Sequence, residues 1–267
     1  MIVGIDKSVL VRWFGFPATL IHGDTLVLDR WLWLRRYLPV TRNGERVLDV
    51  GCGTGAFTIG AALRGYKAVG LSWDQRNQSV ATERAKLCGA DEIEFPVEDV
   101  RGLDRREDLK GQFDFVLCLE NIEHILDDAK LMRDMSRCLK AGGRLLLTTP
   151  NYYYRAMTAS DNGPFMEQET GGHVRRGYSA AMLKELCSHA DLEVEEINSC
   201  SGFFSQKVTA FSRVICRASF MLQFGATLPL RALPLVFDRL IFKVTNWPNY
   251  SICLVAYKPR LLGKLSP

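Results

Sequence analysis

The stretch VLDVGCGTGAF, at residues 47–57, constrains the fold of this chain more than any other part of the sequence. An apolar run around Asp49 leads into three glycines at alternate positions, and a helical pattern follows them. Glycine adopts backbone conformations that other residues avoid, and its missing Cβ lets a ligand approach the main chain. The stretch therefore predicts a strand that turns sharply into a helix beside a bound ligand.

Asp49 narrows the choice of ligand. Because Ala56 follows the last glycine, the stretch also matches the Gly-x-Gly-x-x-Gly/Ala fingerprint of dinucleotide sites. A carboxylate just before the first glycine would repel a pyrophosphate, whereas it would attract the cationic amino group of a methionine moiety. The position of Asp49 therefore favours a ligand with an amino-acid portion over a dinucleotide.

Downstream of the turn, short apolar runs alternate with amphipathic helical patterns. Predicted strands cover residues 46–50, 67–71, 92–97, 113–119 and 144–149, and weaker strand patterns cover 193–199 and 251–257. Helices are predicted to begin at Ala56, near Gln75, at residues 127–128, where carboxylates can cap free amides, and at Ala180. Alternating units of this spacing imply a parallel sheet with right-handed crossovers.

The two ends of the chain depart from this alternation. Residues 1–43 are aromatic and predicted to be helical, and the roughly fifty residues before the last strand are too many for a plain loop. We expect these roughly fifty residues to form two helices, with Pro229 and Pro234 between the helices, and to cover one end of the sheet. The predicted organisation is a helical cap at 1–43, a core at 44–200, a helical insert or lid at 201–249, and a final strand with its tail at 250–267.

Residues 47–57, 98–99, 113–125 and 138–151 together resemble the class I (Rossmann-like) S-adenosylmethionine-dependent methyltransferases of the small-molecule group. The resemblance covers about residues 46–178, with a weaker continuation beyond. It implies a doubly wound α/β fold whose seven-stranded sheet is mostly parallel, with the last strand antiparallel. S-adenosylmethionine would lie across the carboxyl ends of the strands.

Position by position, the resemblance implies cofactor contacts at the ends of four strands. The residues are Asp49, Gly51, Cys52, Gly53 and Gly55 in the glycine turn, Ser72, Trp73 and Asn77 after the second strand, Glu98, Asp99 and Val100 after the third, and Leu119 after the fourth. Among them, Asp99 matches the acid that accepts the adenine amino hydrogens.

The chain departs from the family after the second strand, where most members place an acid that binds both ribose hydroxyls. Ser72 stands there instead. One interpretation is that Ser72 shares the ribose role with Asn77, a pattern similar to that of the cyclopropane fatty-acid synthases. A second is that Asp74 reaches back to the ribose, and a third is that Asp74 only caps a helix.

The sulfonium cofactor is itself a strong electrophile, so such an enzyme has to align a nucleophile and remove its proton. His173 lies in a glycine-flanked loop after the fifth strand, and Glu123 and His124 lie just past the fourth. We interpret His173 as the leading candidate base and His124 as either catalytic or a helix cap. Glu123 matches an active-site acid of the cyclopropane synthases. The cysteines and histidines lack zinc-like spacing, so no metal is expected.

Four residues after the fifth strand are candidates for the acceptor site. Tyr152, Tyr153 and Tyr154 either wall that site or form the apolar floor of the loop, and Arg175 follows His173 closely. The favoured function is methyl transfer to a hydroxyl group of a small molecule, such as a sugar, a glycolipid precursor or a secondary metabolite. The alternatives are a lipid-modifying enzyme of cyclopropane-synthase type and a non-catalytic cofactor-binding protein. Nucleic acid is not expected as a partner, because no RNA-binding module accompanies the core.

The charge of the chain is unevenly distributed. Residues 203–267 contain nine Lys and Arg against one acid, Asp238, so this part carries a net charge of +8. Phenylalanines interleave with the cations over 203–243, which suits a lid and also a helix at the surface of an anionic membrane. Either arrangement would fit a lipid-linked or phosphate-bearing acceptor. With no signal peptide or spanning helix expected, the predicted location is cytoplasmic, or peripheral at the inner face of a membrane.

Overall fold

A seven-stranded sheet forms the centre of the computed structural model, which describes residues 8–21, 25–216 and 225–260. Its strands are β1 Arg46–Val50, β2 Lys67–Leu71, β3 Ile93–Glu94, β4 Phe113–Leu119, β5 Leu139–Pro150, β6 Glu193–Cys200 and β7 Ser251–Tyr257. They lie in the order β3-β2-β1-β4-β5-β7-β6, and β7 runs antiparallel to both of its neighbours. The predicted fold class, a doubly wound and mostly parallel sheet with its last strand antiparallel, is confirmed.

Helices connect the strands and cover both faces of the sheet. They are α1 Val9–Phe14, α2 Phe16–Ile21, α3 Leu26–Leu34, α4 Ala56–Ala62, α5 Gln75–Cys88, α6 Asp128–Cys138, α7 Ala180–Ser188, α8 Phe203–Cys216 and α9 Leu233–Thr245. Several begin at side-chain caps, because the first amides of a helix lack helical partners. Asp74 caps α5, Asp127 caps α6 and Ser179 caps α7. The cap predicted at residues 127–128 is confirmed.

The fifth strand begins at Leu139 rather than Arg144. Two further predicted boundaries are wrong, and proline chemistry explains both. The third strand is limited to Ile93–Glu94, with only an isolated bridge between Ser72 and Val97, since Pro96 has no N–H to donate to a neighbouring strand. Pro234, expected in the linker between two helices, is the second residue of α9. Proline fits the first turn of a helix, where the amide that it lacks would have no helical partner.

Apolar side chains bury the sheet on both faces. One face packs against α6 and α7 through residues such as Met132 and Leu183. The other packs against α3 and α4, with Trp31 and Trp33 among its buried side chains. In a sheet covered on both faces, the carboxyl edge of the parallel strands is the usual position for a ligand.

The insert between β6 and β7 is attached to the N-terminal helices. Its helices α8 and α9 pack against each other, and α8 also packs against α3. The carboxylate of Asp238 in α9 accepts hydrogen bonds from the N–H groups of Phe204 and Ser205 in the first turn of α8, at 2.6 and 3.3 Å. This contact caps one helix with a side chain of the other. Other members of the predicted basic and apolar face lie outside the described residues, namely Arg217, Phe220 and Phe224.

Candidate functional site

A cleft of about 410 Å³ opens at the carboxyl ends of β1, β2 and β4. Its walls combine the glycine turn, the residues after β2, the 3₁₀ turn at Val100–Arg105 and the loop after β5. It is lined by Gly51, Gly53, Ser72, Trp73, Asp74, Asn77, Asp99, Val100, Arg101, Glu120, Asn121, His124, Ile125, Glu169 and Gly171. Predicted cofactor residues from after β1, β2 and β3 therefore share one cleft.

Gly51 and Gly55 are required in the turn for steric reasons. At Gly51 φ is +90°, and a Cβ there would lie 2.3 Å from Cγ of Asn121. At Gly55 φ is +79°, and a Cβ would lie 2.8 Å from Cβ of Ala81. Both positions combine a left-handed backbone with a close neighbour, which only glycine accommodates without strain. Cys52, between them, is buried and does not line the cleft.

Asp49 lies near the end of β1, buried outside the cleft lining, and only one oxygen of its carboxylate has a hydrogen-bond partner among the described residues. Its side chain is 1% exposed, and Oδ2 accepts a hydrogen bond from the Thr58 hydroxyl at 2.6 Å. The other oxygen, Oδ1, has no partner within the described part of the chain. Burial raises the pKa of Asp49 to about 7, against the opposing effect of the Thr58 bond. A buried oxygen without a partner can accept a hydrogen bond from a cationic donor.

After β2, the cleft wall is formed by Ser72, Trp73, Asp74 and Asn77. The Asp74 carboxylate accepts hydrogen bonds from the backbone N–H groups of Arg76 and Asn77, at 2.8 and 3.4 Å. Asp74 therefore caps α5, and because it also lines the cleft, its alternative role at the ribose stays a prediction. Ser72 and Asn77 stand on the same wall, and their ribose role stays a prediction.

The two acids after β3 have different neighbours. Asp99 lines the cleft, and both of its oxygens lie 2.9 Å from the Arg101 guanidinium, which lowers the pKa of Asp99. Glu98 instead pairs with Arg106 at 2.7 Å and does not line the cleft. Asp99 and Val100, rather than Glu98, are thus placed for the predicted adenine contact.

The end of β4 joins three distant segments of the chain. Leu119, predicted beside the cofactor, is 6% exposed and does not line the cleft, whereas Glu120 does. The Glu120 carboxylate pairs with Arg30 of α3 at 2.9 Å and accepts a hydrogen bond from the Ser251 hydroxyl of β7 at 3.1 Å. The N-terminal cap, the central sheet and the last strand therefore meet at one carboxylate on the cleft wall.

Glu123, His124 and His173 form a compact cluster at the edge of this cleft. Glu123 is fully buried, and its Oε2 accepts a hydrogen bond from Thr149 at 3.0 Å. Its Oε1 lies 4.0 Å from Nε2 of His124, and the two imidazole rings meet edge to face with centroids 4.7 Å apart. Burial and the neighbouring His124 lower the pKa of His173 to about 4, while burial raises the pKa of Glu123. His173 is therefore unprotonated near pH 7, and its lowered pKa makes it a weaker base than an ordinary histidine.

The same cluster could hold a metal ion. One ligand atom from each of its three residues lies within 4.8 Å of the others. Two imidazoles and a carboxylate are a common ligand set for divalent metals. Nδ1 of His124 and Oε1 of Glu123 also have no hydrogen-bond partner among the residues described. No metal was expected, because the cysteines and histidines lack zinc-like spacing along the chain, and that expectation stays untested.

The three tyrosines after β5 lie outside the cleft lining. Tyr152 and Tyr153 are 46% and 69% exposed and contact each other edge to face. Tyr154 is buried in a cluster with Leu26 and Tyr250. Tyr154 thus serves as part of the apolar floor of the loop, and acceptor contacts by Tyr152 and Tyr153 stay a prediction.

Arg175 also lies outside the cleft lining. Its guanidinium pairs with the carboxylate of Asp128 at the start of α6 and donates to the carbonyl oxygens of Ile125 and Leu126, at 2.7 and 2.8 Å. These contacts neutralise the charge of Arg175 within the protein. A direct contact with the acceptor therefore stays a prediction that no geometry here supports.

Several residues of the cleft lining were not found by sequence reasoning, among them Glu120, Asn121 and Glu169. The first two stand in the same LENIEH stretch as Glu123, so their position directly after a strand could have identified them. Glu169 pairs with the Arg101 guanidinium at 2.7 Å and so ties the loop after β5 to the opposite wall. No local signal marks Glu169, because its partner is 68 residues away along the chain.

Comparison with known proteins places this architecture in context. Residues 28–197 match a family model described as a methyltransferase domain. The ubiquinone biosynthesis O-methyltransferase of Marinobacter nauticus is 36% identical over 59% of this chain and 68% of its own length. The protein of the same name from Pseudomonas aeruginosa is 33% identical over 40% of this chain and 45% of its own length. The match thus spans about two thirds of one relative and less than half of the other.

Solved structures share the fold at lower sequence identity. Phosphoethanolamine N-methyltransferase 2 of Haemonchus contortus, in complex with S-adenosyl-L-methionine, has a TM-score of 0.64 and 20% identity, covering 97% of this chain and 61% of that one. Geranyl diphosphate methyltransferase, in complex with the same cofactor, has a TM-score of 0.56 and 16% identity, covering 85% and 83%.

The half-satisfied carboxylate of Asp49 predicts how cofactor affinity depends on pH. Only the ionised carboxylate attracts the cationic amino group of S-adenosylmethionine. Because burial raises the pKa of Asp49 to about 7, affinity should be highest above that pH and fall as the pH drops below it. Asp49→Asn keeps the shape but removes the charge, and should cost about 1–3 kcal/mol of binding at high pH.

Isothermal titration calorimetry of both proteins, across the range over which a carboxyl with this pKa titrates, measures the effect. The affinity difference between them should shrink as the pH falls through about 7. Asp114→Asn is the matched control, since the Asp114 carboxylate lies at the start of β4, at the opposite edge of the sheet, and accepts hydrogen bonds from the Arg46 N–H and the Lys140 ammonium group. Equal affinities of Asp49→Asn and the parent at high pH would show that Asp49 is not a cofactor ligand.

Proposed function

Because the chain belongs to the class I S-adenosylmethionine-dependent methyltransferases, we propose that it transfers a methyl group to a hydroxyl on a phenolic ring of the quinol type. The observation that carries this proposal is the contact among His173, His124 and Glu123, at the edge of a cleft that begins at the glycine turn. The choice of oxygen as the acceptor atom is supported by the curated relatives, which are named for O-methylation in ubiquinone biosynthesis.

The cluster suits the removal of a hydroxyl proton. When bound, S-adenosylmethionine supplies a methyl group on a positively charged sulfur. The protein then has to hold the acceptor oxygen in line with that methyl group and take its proton. The pKa of His173 is lowered to about 4, so its imidazole is unprotonated at neutral pH and holds an accepted proton only weakly. A proton passed on to His124 would lie close to the Glu123 carboxyl, whose Oε1 is 4.0 Å from the imidazole.

Incubation with methyl-labelled S-adenosylmethionine and a matched panel of acceptors tests the proposal. The panel pairs a catechol with the corresponding aromatic diamine and adds a sugar and an unsaturated phospholipid. We expect label on the catechol oxygen, identified by mass spectrometry of the product. Label on nitrogen or on a lipid carbon would contradict O-methylation, label on the sugar would contradict the phenolic ring, and no transfer to any acceptor would favour a binding protein.

Removal of each histidine separately tests the assignment of the base. We expect His173→Ala to lower turnover by about 10²–10⁴-fold, the range typical of a lost general base. His124→Ala should lower turnover by less, because His124 acts through its contact with the His173 ring. Neither substitution should change the affinity for S-adenosylmethionine measured by calorimetry.

The control for both variants is His189→Ala, at the exposed end of α7 and away from the cleft. If both cluster variants keep full turnover, catalysis by a histidine base is wrong and positioning alone carries the reaction. If parent activity is instead lost on chelation and restored by a divalent cation, His124, His173 and Glu123 act as metal ligands, which also contradicts the base assignment.

We also propose that the acceptor carries a lipid tail and that the insert contacts a membrane surface. Val236, Leu240 and Val244 are 65%, 56% and 74% exposed, and their spacing of four places them on one face of α9. Arg239 and Lys243 follow the same spacing beside them. An exposed apolar row flanked by cations suits the interface of an anionic bilayer. No helix within the described ranges has both the length and the hydropathy to cross one.

Co-sedimentation with anionic and neutral vesicles at low and high salt tests the membrane contact. We expect salt-sensitive binding to the anionic vesicles only, since each basic residue near the surface contributes about 1 kcal/mol. A Val236→Ser and Leu240→Ser double variant should bind more weakly, whereas Leu63→Ser, which alters an exposed leucine near α4, should not. Protein that stays in the supernatant with both vesicle types at low salt would show that the insert is a lid.

A further inference from the structure

A second cleft, of about 530 Å³, lies between α3, the end of β6 and α9. We call it the insert cleft. It shares no lining residue with the cofactor cleft, and Leu32, Pro234 and Phe242 form its apolar side. Its volume falls in the range of about 300–1,000 Å³ that small-molecule sites occupy. The insert cleft is therefore large enough for a ligand of its own.

Two buried polar atoms on the walls of the insert cleft have no hydrogen-bond partner among the described residues. Trp33 is 3% exposed, yet its indole Nε1–H makes no hydrogen bond within the described residues. On the strand wall, Oδ1 of Asn198 is also unpaired, although the amide nitrogen of Asn198 donates to Tyr37 and Glu196 at 3.3 and 2.8 Å. Buried polar groups normally have hydrogen-bond partners. A donor and an acceptor left unpaired beside an open cleft point to a ligand that pairs with them.

The acidic side chains of the insert cleft have hydrogen-bond partners within the protein, whereas its two arginines have none among the described residues. Asp29 accepts a hydrogen bond from the Ser205 hydroxyl, and Asp238 accepts two from the first turn of α8. Arg36 and Arg239 are exposed cleft residues, and neither guanidinium makes a hydrogen bond or ion pair in the part of the chain that the structure describes. The groups without a hydrogen-bond partner are therefore mainly donors, namely the two guanidinium groups and the indole N–H of Trp33. Such a set complements an anion.

We propose that the insert cleft binds a small anionic amphiphile, with its phosphate or carboxylate held by Arg36 and Arg239 and its apolar body along Leu32 and Phe242. The planar guanidinium group matches both anions because it can donate two parallel hydrogen bonds. A hydroxyl or ester oxygen near the head of the ligand pairs with the Trp33 indole. The site is separate from the cofactor cleft, so its ligand is held independently of methyl transfer.

Calorimetric titration of the full chain, with the cofactor cleft saturated by S-adenosylmethionine, tests the proposal. Octyl phosphate is the probe. Octyl glucoside has the same alkyl chain without the anion, and inorganic phosphate has the anion without the chain, so these two compounds are the controls. The two octyl compounds are used below the concentration at which they form micelles. We expect saturable one-to-one binding of octyl phosphate, and at least about tenfold weaker binding of the other two, because each lacks half of the recognition.

Substitutions locate the binding within the protein. Arg36→Gln and Arg239→Gln should each weaken octyl phosphate binding by about tenfold, and Trp33→Phe, which removes only the N–H, by about fivefold. Lys243→Gln is the matched control, because Lys243 is an exposed cation on α9 outside the insert cleft. The affinity for S-adenosylmethionine should be unchanged in every variant, which also shows that each one folds.

Three results would overturn the proposal. One is the absence of octyl phosphate binding to the saturated protein. Another is equal loss of affinity in Lys243→Gln and Arg239→Gln, which would indicate attraction by the basic surface as a whole. The third is binding of inorganic phosphate as tight as that of octyl phosphate, which would indicate a phosphate site without an apolar part.

Discussion

The parallel pairing of β1 with β2 on one side and β4 on the other is the constraint on which the candidate site depends. Parallel strands in register end at the same edge, so the residues that follow them meet although they are far apart in sequence. Val50 is paired with Leu71, and this register brings the glycine turn beside Ser72. The same pairing on the other side brings Glu120 and Asn121 to the turn. Asn121 fills the space that a side chain at Gly51 would need.

Features that depend on local chemistry were predictable from the sequence. The glycine turn, the strand ends and the cap at Asp127 each follow from a few neighbouring residues, and the structure has them at or near their expected positions. The seven-stranded, mostly parallel sheet with its last strand antiparallel followed from the resemblance and from alternation along the chain. Local patterns gave wrong boundaries at Pro96 and Pro234. Proline interrupts a strand because it has no N–H to donate to the neighbouring strand, but it fits the first turn of a helix, where that N–H would have no helical partner.

Contacts between distant segments were not predictable. Glu169 reaches the cleft only because it pairs with Arg101, and Arg175 is held away from the cleft by Asp128 and two backbone carbonyls. Neither pair has a signature in the sequence, since complementary charges are common and only the folded loop selects among them. The meeting of His173 with His124 has the same origin. Residue type suggested a chemical role for each histidine, whereas the packing of the loop made them a pair.

The contact among Arg30, Glu120 and Ser251 also has a consequence during synthesis of the chain. Arg30 and Glu120 leave the ribosome long before Ser251, which lies in the last strand. Until that strand is added, β5 has an open edge and β6 has no neighbour in the sheet. A nascent chain that already contains the glycine turn, Glu123, His124 and His173 therefore lacks the Ser251 hydroxyl, which donates a hydrogen bond to Glu120 on the cleft wall. A product that terminates before Ser251 presents an unpaired strand edge, a template for aggregation, in place of a smaller working enzyme.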